Sequence, residues 1–349
     1  MRLELLASPF IFAWDYISCI RNDAHTCHRY TYYLLRLLYK QSKGASATIL
    51  SLPYRALHPF NAKISTEFAE EANKLRVNGF IKLGETARSA MLAKALNAKL
   101  QNCPVLEVLP YGQTGSEYGS VNEGYASCHR RAARLLHHPK DVIDQTETWE
   151  LISTLKLTEV AGSYLECTPL LTNISSWHVV DISRILDITD PEEHYSVTAQ
   201  TYHYDMDWIK FVKAFVNLTP AKAGSGPFEY LRGTHKPNRH KHYTDRRIQE
   251  PYADRKEYFD KLELADGDTG SLFMADTSGL HRDGRSSGMQ RHVLMVEYAI
   301  SSFGAKYQLN QDYLTCSEII RSRKIYRYFS NPRTLNLFNQ AQEHRKFTE

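Results

Sequence analysis

The sequence predicts a mainly β core with flanking helices, arranged as a sandwich or barrel that encloses a ligand. Three observations predict it. The first half is dominated by segments with helical spacing of apolar residues. The second half turns to short runs rich in β-branched and aromatic residues. Turns with Gly or Pro separate many of these runs, and an enclosing sheet is one of the few ways to use so many short strands. The 349 residues suffice for one large domain or two ordinary ones. With 42% hydrophobic and 23% charged residues, a globular chain is expected rather than a disordered or fibrous one.

Residues 1–40 read as helix, with Leu34, Leu35, Leu37 and Leu38 following a cluster of aromatics. His25, Cys27 and His28 have ligand-like spacing, but no second cluster lies near them and a packed helix explains them. The stretch 51–54 and the pair His58-Pro59 mark a connection. Phe68, Ala72, Leu75 and Arg76 are spaced for an amphipathic helix over 66–78, which Gly79 ends. Phe80–Leu83 reads as a short strand, and 86–100 as another helix.

The Gly- and Ser-rich region 111–124 lacks the Lys-Ser/Thr ending of a phosphate-binding loop, so a flexible connection or lid is expected. Residues 126–138, with Arg130, Arg131, Arg134, His137 and His138, read as a helix with a basic, solvated face. Residues 145–157 read as helix. The expected strands are 164–167, 177–182, 195–203, 211–218, 272–274 and 293–299.

The six cysteines form no CxxC pair and look like buried thiols, which favours a cytoplasmic protein. Charges interrupt residues 1–20 too often for a bilayer span or a clean signal peptide, so no membrane association is expected. A net charge of +4 is too small to argue for nucleic acid.

The chemistry concentrates at His203-Tyr204-Asp205. On a strand, residues two apart point to the same side, so an imidazole and a carboxylate would face one point. His281 is the candidate third ligand, after the turn–strand–turn run that begins at Gly267. Asp207 competes with Asp205 as the carboxylate ligand. Two imidazoles and one carboxylate occupy one face of Fe(II) and leave three positions open. Arg291, ten residues after His281, has the forked geometry that grips a carboxylate.

In these residues the chain resembles the phytanoyl-CoA dioxygenase-like branch of the Fe(II)/2-oxoglutarate-dependent oxygenases. The opening 75–83 and the Gly-Thr-His turn within Gly226–His235 are also similar. The resemblance implies a double-stranded β-helix, a jelly roll of cupin type, over about residues 66–305. It leaves a helical N-terminal extension over 1–65 and a C-terminal tail over 306–349, packing on the core. It departs from the branch at Tyr204, where many members carry Gln, and that side chain should point away from the metal.

The resemblance further implies Fe(II) on His203, Asp205 and His281, with 2-oxoglutarate as cosubstrate and O₂ as oxidant. Arg291 would hold the distal carboxylate of 2-oxoglutarate. The implied reaction hydroxylates an unactivated C–H bond of a small, anionic metabolite and releases succinate and CO₂; the alternatives are desaturation or ring formation at the same centre, hydroxylation of a macromolecule, and a non-enzymatic small-molecule binding protein. Asn217 is a further candidate for cosubstrate contact, and Thr234 and His235 for the pocket wall. The basic run 232–247, with Arg246 and Arg247, reads as a solvated loop or as a reader of an anionic substrate. The oligomeric state is left open.

Overall fold

The computed structural model describes residues 2–21, 29–42, 44–108, 117–126, 134–181, 195–196, 198–237, 260–301 and 303. Helices α1 (Arg2–Arg21), α2 (Arg29–Gln41) and α3 (Ala45–Leu57) come first, then α4 (Ala62–Glu67) and α5 (Ala69–Asn78). Gly79 ends α5 at φ +76°, a left-handed conformation that glycine adopts without strain. Strand β1 (Phe80–Gly84) leads to α6 (Ala87–Leu100), which Thr86 and Ser89 cap reciprocally. β2 (Val105–Glu107), β3 (Glu117–Tyr118), α7 (Val121–Ala126) and β4 (Arg134–His137) follow. After them come α8 (Pro139–Ile143), α9 (Thr146–Thr154) and α10 (Leu157–Leu165). The second half holds β5 (Leu170–Val179), β6 (Phe211–Asn217), β7 (Glu229–Leu231) and β8 (Leu262–Leu264). It ends with β9 (Leu272–Ala275), β10 (His281–Arg282) and β11 (Arg291–Ala299).

The expected jelly roll does not form. Eight strands make one open sheet in the order β1-β9-β6-β11-β5-β4-β2-β3, and three short strands make a separate sheet, β10-β7-β8. Among the described residues, neither closes into a barrel, and helix exceeds strand. The physical reason lies in segments expected as strands that do other work. Residues 164–165 finish α10 instead. The run 195–203 contains a helical turn at 195–196 and Ala199 at φ +60°, and only an isolated bridge at His203. The second layer is thus short of strand, and helices cover the sheet in its place. Two further expectations fail: residues 134–137 are a strand, not part of a basic helix, and 51–57 continue α3 through Pro53.

Alternation along the long strands divides the molecule. On β6 and β11, Val212, Ala214, Val216, Leu294 and Val296 pack with Leu75, Leu92, Leu96 and Leu157 of the helices. The intervening Phe215, Val293 and Met295 join Trp177, Phe228 and Phe273 on the opposite face. Register places Asn217 opposite Val293 and Lys213 opposite Glu297. Arg291, Lys213 and Glu297 therefore share the parity of the Phe215 face, whereas His292 takes that of the helical face. Helices α2 and α3 dock on this body through Leu35, Ala47 and Tyr54. Among the described residues, no helix is long and apolar enough to cross a membrane.

Candidate metal centre

His203, Asp205 and His281 come together, each offering a ligand atom within 4.8 Å of the others. The segment carrying the first two is not a regular strand. A bridge between His203 and His281 aligns it, with reciprocal backbone hydrogen bonds of 2.9 Å. Asp205 N donates to the Thr277 carbonyl at 2.7 Å. Thr234 braces the second histidine from below: its Oγ1 accepts from Leu280 N at 2.8 Å and donates to the Leu231 carbonyl at 2.6 Å.

The tautomers are set by the backbone. His203 Nδ1 donates to the Thr201 carbonyl and His281 Nδ1 to the Gly279 carbonyl, both at 2.9 Å. Each ring then presents Nε2 as a lone pair. These Nε2 atoms lie 3.7 Å from Asp205 Oδ1 and 3.5 Å from Oδ2, respectively. Donors bound about 2.0–2.2 Å from one ion are spaced comparably, so the set fits a divalent cation of the 2-His-1-carboxylate type. Burial, aided by the neighbouring His281, lowers the His203 pKa to about 3, and burial also lowers that of His281. Burial would raise Asp205, but Lys213 and the two histidines outweigh it and hold the carboxyl ionised. Two neutral imidazoles and one carboxylate are the protonation states that ligation needs.

Lys213 sits directly behind the centre. Its Nζ lies 2.8 Å from Asp205 Oδ2, 2.8 Å from Asp207 Oδ2 and 3.3 Å from Glu297 Oε2. Asp207 is thus drawn to Lys213 and stays outside the three-ligand group.

Arg291 is fully buried. Its Nη2 donates to Asp283 Oδ1 at 2.5 Å, while Nε and Nη1 have no partner. Arg134 pairs with the other oxygen of Asp283 and stacks over Trp177, 4.7 Å from the ring centre. Its Nε is unpartnered too. Two guanidiniums share one carboxylate, leaving one positive charge and three orphaned donors in the interior. Unmet buried donors cost about 1–3 kcal/mol each. Arg134 had no role in the sequence reading, which set it on a solvated helix. The sequence Arg134-Leu-Leu-His137 carries no polar–apolar alternation, so nothing in it marked a strand.

The remaining expected residues scatter. Asn217 Nδ2 donates to Ser271 Oγ at 2.9 Å, and its Oδ1 is unpartnered. Asn217 lies four residues along β6 from Lys213, so it is closer in register to Arg291 than to the metal ligands. His235 Nε2 lies 3.1 Å from the Arg76 carbonyl, and the ring lines a cavity of about 240 Å³ that reaches Asp205. Arg246 and Arg247 lie outside the described residues, as do His25, Cys27 and His28.

A second histidine group, His137, His178 and His292, is buried under α6. Its ring nitrogens also lie within 4.8 Å of one another, but they are not aimed at one point. The His178 and His292 rings stack 3.7 Å apart at 20°, so their in-plane lone pairs run side by side. His292 is occupied at both nitrogens, by Asn97 Oδ1 at 2.6 Å and Ser176 Oγ at 2.7 Å. His137 Nε2 hydrogen-bonds His178 Nε2 at 3.1 Å.

No family model and no curated protein matches the sequence. Among solved structures, the chain is similar to AviO1 from Streptomyces viridochromogenes Tue57, at 14% identity and a TM-score of 0.39 over 66% of this chain and 94% of that one. It is also similar to the epimerase SnoN from nogalamycin biosynthesis, in complex with Fe³⁺, alpha ketoglutarate and nogalamycin RO. That match has 10% identity and a TM-score of 0.44 over 67% and 83% of the two chains. EvdO2 from Micromonospora carbonacea var. aurantiaca, complexed with 2-oxoglutarate, matches at 12% and 0.39 over 66% and 89%. At these identities and TM-scores, the functional reading rests on the side chains of this chain.

Proposed function

We propose that this protein is an Fe(II)- and 2-oxoglutarate-dependent oxidoreductase that attacks a C–H bond of a small molecule. The observation that carries the reading is the convergence of two backbone-pinned imidazoles and one ionised carboxylate on one point. The orphaned donors of Arg291 support it, because they suit the distal carboxylate of a 2-oxo acid. This retains the reaction class implied by the resemblance to the phytanoyl-CoA dioxygenase-like branch, without its fold.

In this reading His203, Asp205 and His281 hold the metal, which when bound supplies the oxidising chemistry that no side chain provides. The chain's own residues do the positioning. The Thr201 and Gly279 carbonyls fix the ring tautomers, and Lys213 orients the carboxylate by holding Oδ2. Arg291, with Arg134 beside it, binds and orients the cosubstrate through its far carboxylate. Phe215, Phe228 and Trp177 line the Arg291 face with apolar surface that excludes water. Hydroxylation adds one oxygen to the product; desaturation or ring closure removes two hydrogens instead.

The test is anaerobic reconstitution with Fe(II) and 2-oxoglutarate, followed by admission of O₂. Succinate should appear with the purified protein and be absent with Asp205→Ala. Equal succinate from both proteins sinks the assignment. Product mass from a metabolite extract then separates oxygen insertion from loss of two hydrogens.

A further inference from the structure

The cavity beside Asp205 is walled on one side by the site and on the other by the N-terminal helices. Asp205, Met206 and Trp208 line it from the metal side, and Leu35 and Tyr39 of α2 and Thr48 of α3 from the other. Tyr39 also packs on the cluster formed by Tyr202, Tyr204 and Met206, so α2 touches the ligand-bearing segment itself. At about 240 Å³ the chamber falls below the usual span of ligand pockets, about 300–1,000 Å³. It admits a small molecule rather than a segment of a macromolecule.

Its charge is uneven. Lys210 is matched by Asp276 at 2.5 Å, and Lys213 matches Asp205. At the other end Arg55 and Arg76 share the single carboxylate of Glu166, at 2.9 and 3.1 Å. Arg55 Nε is buried with no partner. Lys236 lines the same cavity, next to His235, whose Nε2 contacts the Arg76 carbonyl. No acidic side chain among the described residues pairs with Lys236. Arg36 of α2 lines the wall as well, so five cations face three carboxylates around the cavity, and Met206, Tyr39 and Leu35 supply apolar surface beside Asp205.

We propose that this chamber is the substrate site and takes a small amphipathic anion. Its carboxylate or phosphate head lies at Lys236, Arg55 and Arg76, and its apolar end points to Asp205. The proposal rests on the metal-centre reading above and deepens it: oxidation falls on a carbon remote from the charged head, and helices of the N-terminal extension set substrate size.

Binding of octanoate, octyl phosphate, octan-1-ol and octylamine to the full chain by calorimetry tests it, with Co(II) titration of the same preparation as a separate arm. Octanoate or octyl phosphate should bind at least tenfold more tightly than the alcohol or the amine, and the tighter of the two names the head group. Lys236→Glu should abolish that preference without weakening the alcohol. Thr48→Trp, at an exposed position on the rim, should weaken all four. Equal binding of anion and alcohol by the parent protein overturns the anionic assignment, and indifference to Thr48→Trp overturns the location. Co(II) binding without anion binding removes the chamber and spares the metal centre. Anion binding without Co(II) binding keeps a ligand site and removes the oxidation reading.

Discussion

Two groups of histidines sit on opposite faces of one sheet system, and they differ in what their nitrogens are free to do. In the His203 group, backbone carbonyls take both Nδ1 hydrogens and leave two lone pairs facing a carboxylate. In the His137 group, His137 Nε2 and His178 Nε2 are spent on each other and both His292 nitrogens on Ser176 and Asn97, two rings lie stacked, and His137 Nδ1 is left without a partner. Residue type is shared, but the His137 group is fully buried whereas His203 and Asp205 are only partly so. The difference is the tautomer pin and the single carboxylate, which turn a cluster into a ligand set.

That contrast can be broken most directly by metal. Asp205→Ala should weaken Co(II) binding by more than about a hundredfold, beyond what changes outside the ligand set cost, whereas His178→Asn should leave it unchanged. A titration showing equal loss in both variants would erase the distinction. Arg291→Gln should next weaken 2-oxoglutarate by about 2–3 kcal/mol, the scale of a charge-assisted hydrogen bond, with Co(II) affinity kept. Competition calorimetry reads both quantities.

The second cluster should answer in stability instead. His178→Ala removes a buried ring and orphans the His137 nitrogen, at a cost of about 2–4 kcal/mol in urea unfolding. Acid should act on the same cluster more gradually. Burial lowers the His137 pKa to about 4 and holds His178 and His292 well below the ordinary value. The unfolded chain therefore takes up protons first. Stability should be full above about pH 6.5 and fall by up to about 1.4 kcal/mol per pH unit for each histidine as pH drops toward 4. Urea midpoints across that range, compared with those of His178→Asn, measure the share belonging to this cluster; identical slopes would remove it.

The clustering of His203, Asp205 and His281 was legible because these residues carry their chemistry in their type and spacing and needed no knowledge of sheet order. The enclosing fold was not, because closure depends on which runs pair, and Tyr164-Leu165 and 195–203 have strand-like composition without strand partners. Arg134 was hidden by four neighbouring basic residues that read as a solvated helix, and the run Arg134-Leu-Leu-His137 has no polar–apolar alternation to mark a strand. Lys213 lay in plain view on an expected strand. Only the cross-strand register with Glu297 shows why an ammonium belongs there.

Lys213 has a consequence for assembly. Burial alone would strip its proton, but Asp205, Asp207 and Glu297 outweigh burial and hold it charged. The negative pocket thus carries an internal counterion before any metal arrives. In the proposed reading, folding and metal loading are then separable events, unlike in small domains that fold only around their ion. A chelator should empty this protein without unfolding it, and a fresh ion should enter a cradle already built.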